Sequence, residues 1–251
     1  MKLYDALNLG KNELVCFIGA GGKTGLMKIL LGECAERGGK VLVTTSTKMF
    51  ESQLTSCCPL ILEQDEEKLS RKLIEASVGE RVLAAARGLT GNNKVKGLDK
   101  EAIDRLFISG IFDYILVEAD GAKHKILKAP APFEPQVPER ATCVVLVAGV
   151  DILGRPLSDE YVHRYQIAAK ISGQRIGTPV TAATLLSLFK YYRQILNKIS
   201  AEMRIVPVLN KVDNRGLLHK AKEAAKVLIP EVGMVLITST LLPEPVWEVV
   251  V

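Results

Sequence analysis

The chain has 251 residues, 48% of them hydrophobic, and a formal net charge of +5. That length and apolar content are enough for a buried core and exclude a disordered or fibrous protein, while a mild charge with no long Lys/Arg run excludes a nucleic-acid-binding tract. No apolar run approaches the about 20 residues of a membrane-spanning helix and no signal peptide is recognisable, so a soluble cytoplasmic protein is expected.

Cys16, Cys34, Cys57, Cys58 and Cys143 are odd in number and show no C-x-x-C spacing, which points to reduced thiols rather than a disulfide framework or zinc ribbon. Residues 1–13 read as a short helix or arm. The apolar run Leu14-Val15-Cys16-Phe17-Ile18 then breaks into Gly19-Ala20-Gly21-Gly22-Lys23-Thr24-Gly25, and a segment of helical period follows to about Arg37. Strand, glycine-rich turn and helix in that order make a phosphate site. Glycines let successive backbone N–H groups face an anion, Lys23 would reach the β- and γ-phosphates, and the Thr24 hydroxyl would hold Mg²⁺. The full pattern G-x-x-x-x-G-K-[ST] would need glycine at position 17, where Phe17 stands. The shorter G-x-x-G-K-[ST] fits residues 19–24 and resembles the loop of the Mur-type peptide ligases.

Gly38-Gly39 stops the helix, and Lys40-Val41-Leu42-Val43-Thr44-Thr45 reads as a second, doubly covered parallel strand. It ends in hydroxyls and a lysine, with Thr45, Thr47 and Lys48 as candidate contacts, where open α/β sheets place their ligands. Further along, 59–62 reads as a strand, 65–76 as a helix and 81–86 as a strand. The polar, glycine-rich stretch 88–97 reads as a mobile loop, and 99–109 as a helix capped by Asp99.

Tyr114-Ile115-Leu116-Val117 would form a buried strand that delivers Glu118 and Asp120 to its C-terminal end, the layout of a Walker B element. Either carboxylate would bind Mg²⁺ or orient an attacking water, and Glu118-x-x-Gly121 falls where GTPases carry D-x-x-G. Residues 122–140 hold Lys123, His124, Lys125, Lys128 and four prolines, which forbid regular structure except at edges and suggest an extended substrate-binding or switch loop. A strand over 142–148, helices over 159–171, with His163, and 181–199, and a strand over 204–209 come next. That last strand ends in Asn210-Lys211-Val212-Asp213, the N-K-x-D pattern that reads guanine, with the Asp accepting from N1–H and the 2-amino group. A helix to Leu228 and a strand over 234–237 close the domain, with Thr238-Ser239-Thr240 where a further base-contact loop would lie. The alternation predicts one α/β domain over 1–251: a mostly parallel sheet with helices on both faces, the three-layer architecture of P-loop NTPases.

In these stretches the chain resembles the YqeC family, the selenium-dependent hydroxylase accessory proteins. The resemblance is carried by Gly19-Ala20-Gly21-Gly22-Lys23-Thr24, Thr44-Thr45-Ser46-Thr47-Lys48, Val117-Glu118-Ala119-Asp120-Gly121-Ala122, Lys128-Ala129-Pro130 with Glu134-Pro135, and Ala148-Gly149-Val150-Asp151 with His163-Arg164. Ser46 departs from an otherwise all-threonine run but keeps the hydroxyl. The resemblance implies a P-loop protein that helps mature selenium-dependent molybdenum hydroxylases, with the hydroxylase or its cofactor precursor as partner. A weaker likeness to metallochaperone GTPases points the same way.

The expected activity is hydrolysis of GTP or ATP with Mg²⁺, GTP being favoured by Asn210 and Asp213. Lys23, Glu118 and Asp120 would be the catalytic groups, and Thr24, Glu118 and Asp120 the metal ligands. Residues 19–25, Gly121, Lys123 and Lys211 would complete the nucleotide contacts. Two alternatives stand beside it: a kinase or ligase that activates a molybdopterin-type precursor, using Lys123, Lys128 or His163, and a cofactor-binding module without hydrolysis.

Overall fold

The computed structural model describes residues 1–251. In chain order the elements are α1 (Leu3–Ala6), β1 (Glu13–Gly19), α2 (Lys23–Glu36), β2 (Val41–Thr45), β3 (Lys48–Phe50), α3 (Glu51–Thr55), β4 (Leu60–Leu62), α4 (Glu66–Ala76), β5 (Val82–Ala86), β6 (Gly88–Thr90), β7 (Lys94–Lys96) and α5 (Lys100–Ile108). They continue with β8 (Tyr114–Glu118), β9 (Leu127–Lys128), β10 (Cys143–Gly149), β11 (Val162–His163), α6 (Tyr165–Ser172), α7 (Ala182–Leu196), β12 (Arg204–Asn210), α8 (Arg215–Val232), β13 (Val235–Thr238) and β14 (Val246–Val250). A 3₁₀ turn, Val150–Ile152, follows β10.

Nine strands form the main sheet in the order β14-β13-β12-β10-β1-β8-β2-β5-β4, parallel throughout except for β14. The expected α/β architecture is therefore present, and two cores flank the sheet. Along β1 the side chains alternate between them: Leu14, Cys16 and Ile18 join α4 to α8, while Val15 and Phe17 join α1, α2 and α3. Burial on both faces is why β1, β8, β10 and β12 read as near-continuous apolar runs. It also places Phe17, wholly buried, in the strand and not in the loop, so the turn can begin only at Gly19.

The chain leaves β1 toward β2 on one side and leaves the adjacent β10 toward β12 on the other, so a crevice opens between their C-terminal ends, where open α/β sheets bind ligands. The N-terminal arm is tied down at the opposite end of the sheet. The first-turn amides of Leu3 and Tyr4 donate to the Glu33 carboxylate of α2, at 3.0 and 2.6 Å, in place of a side-chain cap of their own.

Three readings of the sequence are corrected. Residues 88–97 are not a mobile loop: β6 and β7 form a hairpin to which β3 adds a third antiparallel strand. This small sheet is anchored to the end of β2, because Gly97 N and Leu98 N donate to the Thr47 and Thr45 carbonyls, and a Cβ at Gly97 would overlap the Thr45 carbonyl. His163 lies in β11, paired with β9, and the helix after it begins only at Tyr165. The sheet does not end at β13, since β14 adds an antiparallel edge.

Candidate functional site

Gly19, Gly21 and Gly22 all have positive φ, +87°, +91° and +117°. A Cβ at Gly19 would overlap the Val147 carbonyl and one at Gly21 the Gly149 amide, so the loop can lie against the end of β10 only as glycine. Gly22 is the N-cap of α2 and supplies no side chain, which leaves the first-turn amides of that helix facing the crevice. Asn210 closes the loop from the other side: its Nδ2 donates to the Gly21 carbonyl at 2.8 Å, and its Oδ1 accepts from the Thr238 hydroxyl at 3.0 Å.

Lys23 is buried. Its ammonium donates to the Gly19 carbonyl at 2.7 Å and lies 3.0 Å from Asp120 Oδ1. Burial alone would lower its pKa, but the charges of Asp120 and Glu118 outweigh it and hold the value above the ordinary lysine range, so Lys23 is cationic at neutral pH. Thr24 Oγ1 donates to Glu118 Oε2 at 2.9 Å and accepts from Gln53 Nε2 of α3 at 3.2 Å. These two hard oxygen donors fit Mg²⁺, which commonly takes one or two protein ligands and completes its shell with phosphate and water oxygens. Nowhere in the chain do three His, Cys, Asp or Glu side chains converge as a metal site.

The loop opens into a cavity of about 590 Å³. Six lysines line it, Lys23, Lys48, Lys94, Lys123, Lys125 and Lys211, against one carboxylate, Glu118. Gly121 and the expected Ala20, Gly21, Gly22 and Thr24 also face it. Lys123 and His124 both have positive φ, +48° and +59°, as does Lys211 at +65°. Non-glycine residues held there cluster at ligand sites.

Other expected residues stand elsewhere. Asp120, read as a metal ligand or catalytic group, is fully buried and does not face the cavity. Its Oδ2 accepts from Gly19 N at 2.9 Å and lies 3.0 Å from Lys128 Nζ, so it positions the loop and its lysine. Thr45 is buried too: its hydroxyl donates to the Glu118 carbonyl at 2.8 Å and lies 3.3 Å from Thr47 Oγ1. Asp213 is exposed and accepts from the Ser239 hydroxyl at 2.6 Å.

The sequence reads the 122–140 segment as an extended substrate-binding or switch loop. Residues 122–125 do line the cavity, but most of 127–138 is packed inside the protein. The reason is a chain of ion pairs that sequence reasoning missed. Lys128, fully buried, joins Asp120 at 3.0 Å and Glu134 at 2.8 Å, and Arg164 then pairs with Glu134 at 2.6 Å. With Lys23 the charges alternate, Lys23, Asp120, Lys128, Glu134, Arg164, from the glycine-rich loop to the start of α6. Burial raises the Glu134 pKa, but hydrogen bonds from Arg164 and Lys128 outweigh it and keep the value below the usual range.

Beside this chain His163 is pushed down to about 4, first by burial and then by the charges of Arg164, Lys128 and Lys123, against an opposing pull from Glu134. An unfolded chain binds a proton at His163 below about pH 6.5 that the folded protein refuses until about pH 4, so stability falls as pH drops through that window. Urea denaturation at about pH 7 and about pH 5 is expected to show a smaller loss for His163→Gln than for the parent.

Three sets of similarities to known proteins are found. The family model described as YqeC protein matches residues 15–166. The uncharacterized protein YqeC of Escherichia coli (strain K12) is 33% identical over 199 residues, which span 79% of this chain and 75% of that protein. Among solved structures, FtsY from Mycoplasma mycoides matches with a TM-score of 0.34 at 16% identity, over 94% of this chain and 58% of FtsY, so the chain spans just over half of that protein's length. PAB0955, a GTPase in apo form from Pyrococcus abyssi, matches with a TM-score of 0.33 at 15% identity, over 92% and 91% of the two chains.

Proposed function

Because the chain belongs to the YqeC family, we propose that it is a nucleoside triphosphatase that binds its nucleotide with Mg²⁺ on the glycine-rich loop. The observation that carries this reading is the joint placement of Lys23, the open amides of α2 and the Thr24–Glu118 pair around one lysine-lined cavity. The loop amides and Lys23 would hold the β- and γ-phosphates, and Thr24 and Glu118 would hold the metal, which supplies charge neutralisation at the phosphates. The family resemblance favours a role in maturing selenium-dependent molybdenum hydroxylases, with nucleotide turnover timing the handling of the hydroxylase or its cofactor precursor.

Guanine over adenine is supported by the neighbourhood of Asn210. It ties the end of β12 to the loop and keeps one amide N–H free after donating to Gly21. Ser239 fixes one oxygen of Asp213, leaving the other to accept from the two donors on guanine that adenine lacks.

Calorimetric titration with GTP and ATP tests both parts. Tight Mg²⁺-dependent binding and slow phosphate release are expected. Asp213→Asn should weaken GTP by about tenfold or more and leave ATP unchanged. Equal loss for both nucleotides, or none for either, removes the guanine reading while leaving the loop assignment standing.

A further inference from the structure

A triphosphate is already served by Lys23, the α2 amides and a divalent cation. The cavity nevertheless holds more positive charge than that. Lys125 donates to the Glu160 carbonyl and Lys211 pairs with Asp151 at 3.5 Å, but Lys48, Lys94 and Lys123 have no carboxylate within 4.0 Å.

These three are gathered by structure far from the loop in sequence. In the small sheet, Met49 and Val95 point into the core, so Lys48, Phe50, Lys94 and Lys96 share the opposite face. Its register sets Lys48 directly across from Lys96 and Phe50 across from Lys94. Like charges facing each other across a strand pair are destabilising unless an anion lies between them. Phe50 has the Lys94 ammonium 4.6 Å from its ring centroid and stacks with the His124 imidazole at 5.9 Å. His124 and Lys123 reach the cavity through their two consecutive positive φ angles. Gln53 ties the assembly to the loop, since it bonds both the Phe50 amide and Thr24.

We infer that the cavity takes two anions at once: the nucleotide on the glycine-rich loop, and on Lys48, Lys94 and Lys123 a second small molecule carrying a phosphate monoester. No arginine lines the cavity. Three lysines acting as separate point charges suit a phosphate monoester, which carries nearly two negative charges near neutral pH on three oxygens that accept from several directions, better than a carboxylate with one charge on two coplanar oxygens. The inference rests on the nucleotide reading above and extends it to a two-ligand site, with the small sheet as the second ligand's platform.

The test is a titration with phenyl phosphate of protein saturated with Mg²⁺ and a non-hydrolysable GTP analogue. One equivalent should bind. The variant Lys94→Ala, whose side chain makes no ion pair and lies outside the nucleotide contacts, should lose about tenfold of that affinity while its affinity for the GTP analogue changes by less than about threefold. The converse is expected of Lys23→Ala, which should lose the analogue and keep phenyl phosphate. Phenyl phosphate that fails to bind, that displaces the analogue, or that binds Lys94→Ala as tightly as the parent overturns the second site. A Lys23→Ala variant that still binds the analogue overturns the nucleotide reading, and the phenyl phosphate result then judges the lysine platform by itself.

Discussion

Replacing Lys128 by alanine is expected to cost about 3–5 kcal/mol of stability, the usual penalty for stripping one partner from a buried ion pair. Three acceptors depend on this ammonium, Asp120 Oδ2 at 3.0 Å, Glu134 Oε2 at 2.8 Å and the Gly121 carbonyl at 2.7 Å, which use all three of its N–H bonds. Without it two buried carboxylates face each other with no cation between them. The charge of Asp120 already raises the proton affinity of Glu134. For a chain of this size the thermal midpoint should drop by roughly 10 °C. The pairwise part can be isolated in a cycle of Lys128→Met, Glu134→Gln and the double variant. The double variant should be more stable than the sum of the single losses, by a coupling of about 1–3 kcal/mol. Urea or thermal unfolding reads both quantities. A Lys128→Ala variant within about 1 kcal/mol of the parent would place these pairs with ordinary surface salt bridges.

The same ion-pair chain marks where reading the sequence stopped short. Strands β1, β8, β10 and β12 were legible because burial on both faces writes an unbroken apolar run, and the glycine-rich loop because its backbone demands leave a residue signature. Positions 120, 128, 134 and 164 carry no such signature. Their contacts depend on how β9 and β11 meet, and two-residue strands have no periodicity to detect. Lys128 and Glu134 belong to the stretch that carries the family resemblance, yet nothing local distinguishes a buried lysine from a loop cation. The hairpin over 88–97 was misread for a related reason. Its glycines and asparagines are turn residues, and its strands are fixed by long-range pairing to β3 and to the Thr45 and Thr47 carbonyls. The carboxylate pair after β8 was half legible. Glu118 faces the cavity as its place at the strand end suggests, whereas Asp120, two residues on, falls on the buried side of the turn.

Lys23→Ala should raise the dissociation constant for GTP by about 100-fold or more, a loss of about 2.7 kcal/mol, in line with removing a charge-assisted bond to phosphate. The variant should nevertheless fold. Asp120 keeps Lys128 and the Gly19 amide, and the four remaining charges still alternate from Asp120 to Arg164. Some stability is lost as Asp120 Oδ1 gives up its cation, but less than at Lys128, where two carboxylates are stripped, and binding is separated from it as a shift from each variant's own ligand-free midpoint. A ligand-induced shift in unfolding makes the separation visible: nucleotide at a hundred times the parent's dissociation constant stabilises the parent by about 2.7 kcal/mol and a 100-fold weaker variant by only about 0.4 kcal/mol. Lys23→Arg should not restore binding, because the guanidinium is larger and planar while the site holds a single ammonium between the Gly19 carbonyl and Asp120. An alanine variant stabilised by GTP as fully as the parent would show that the loop cups some other anion. The shortness of the loop, set by Phe17 in the strand, would then be the reason.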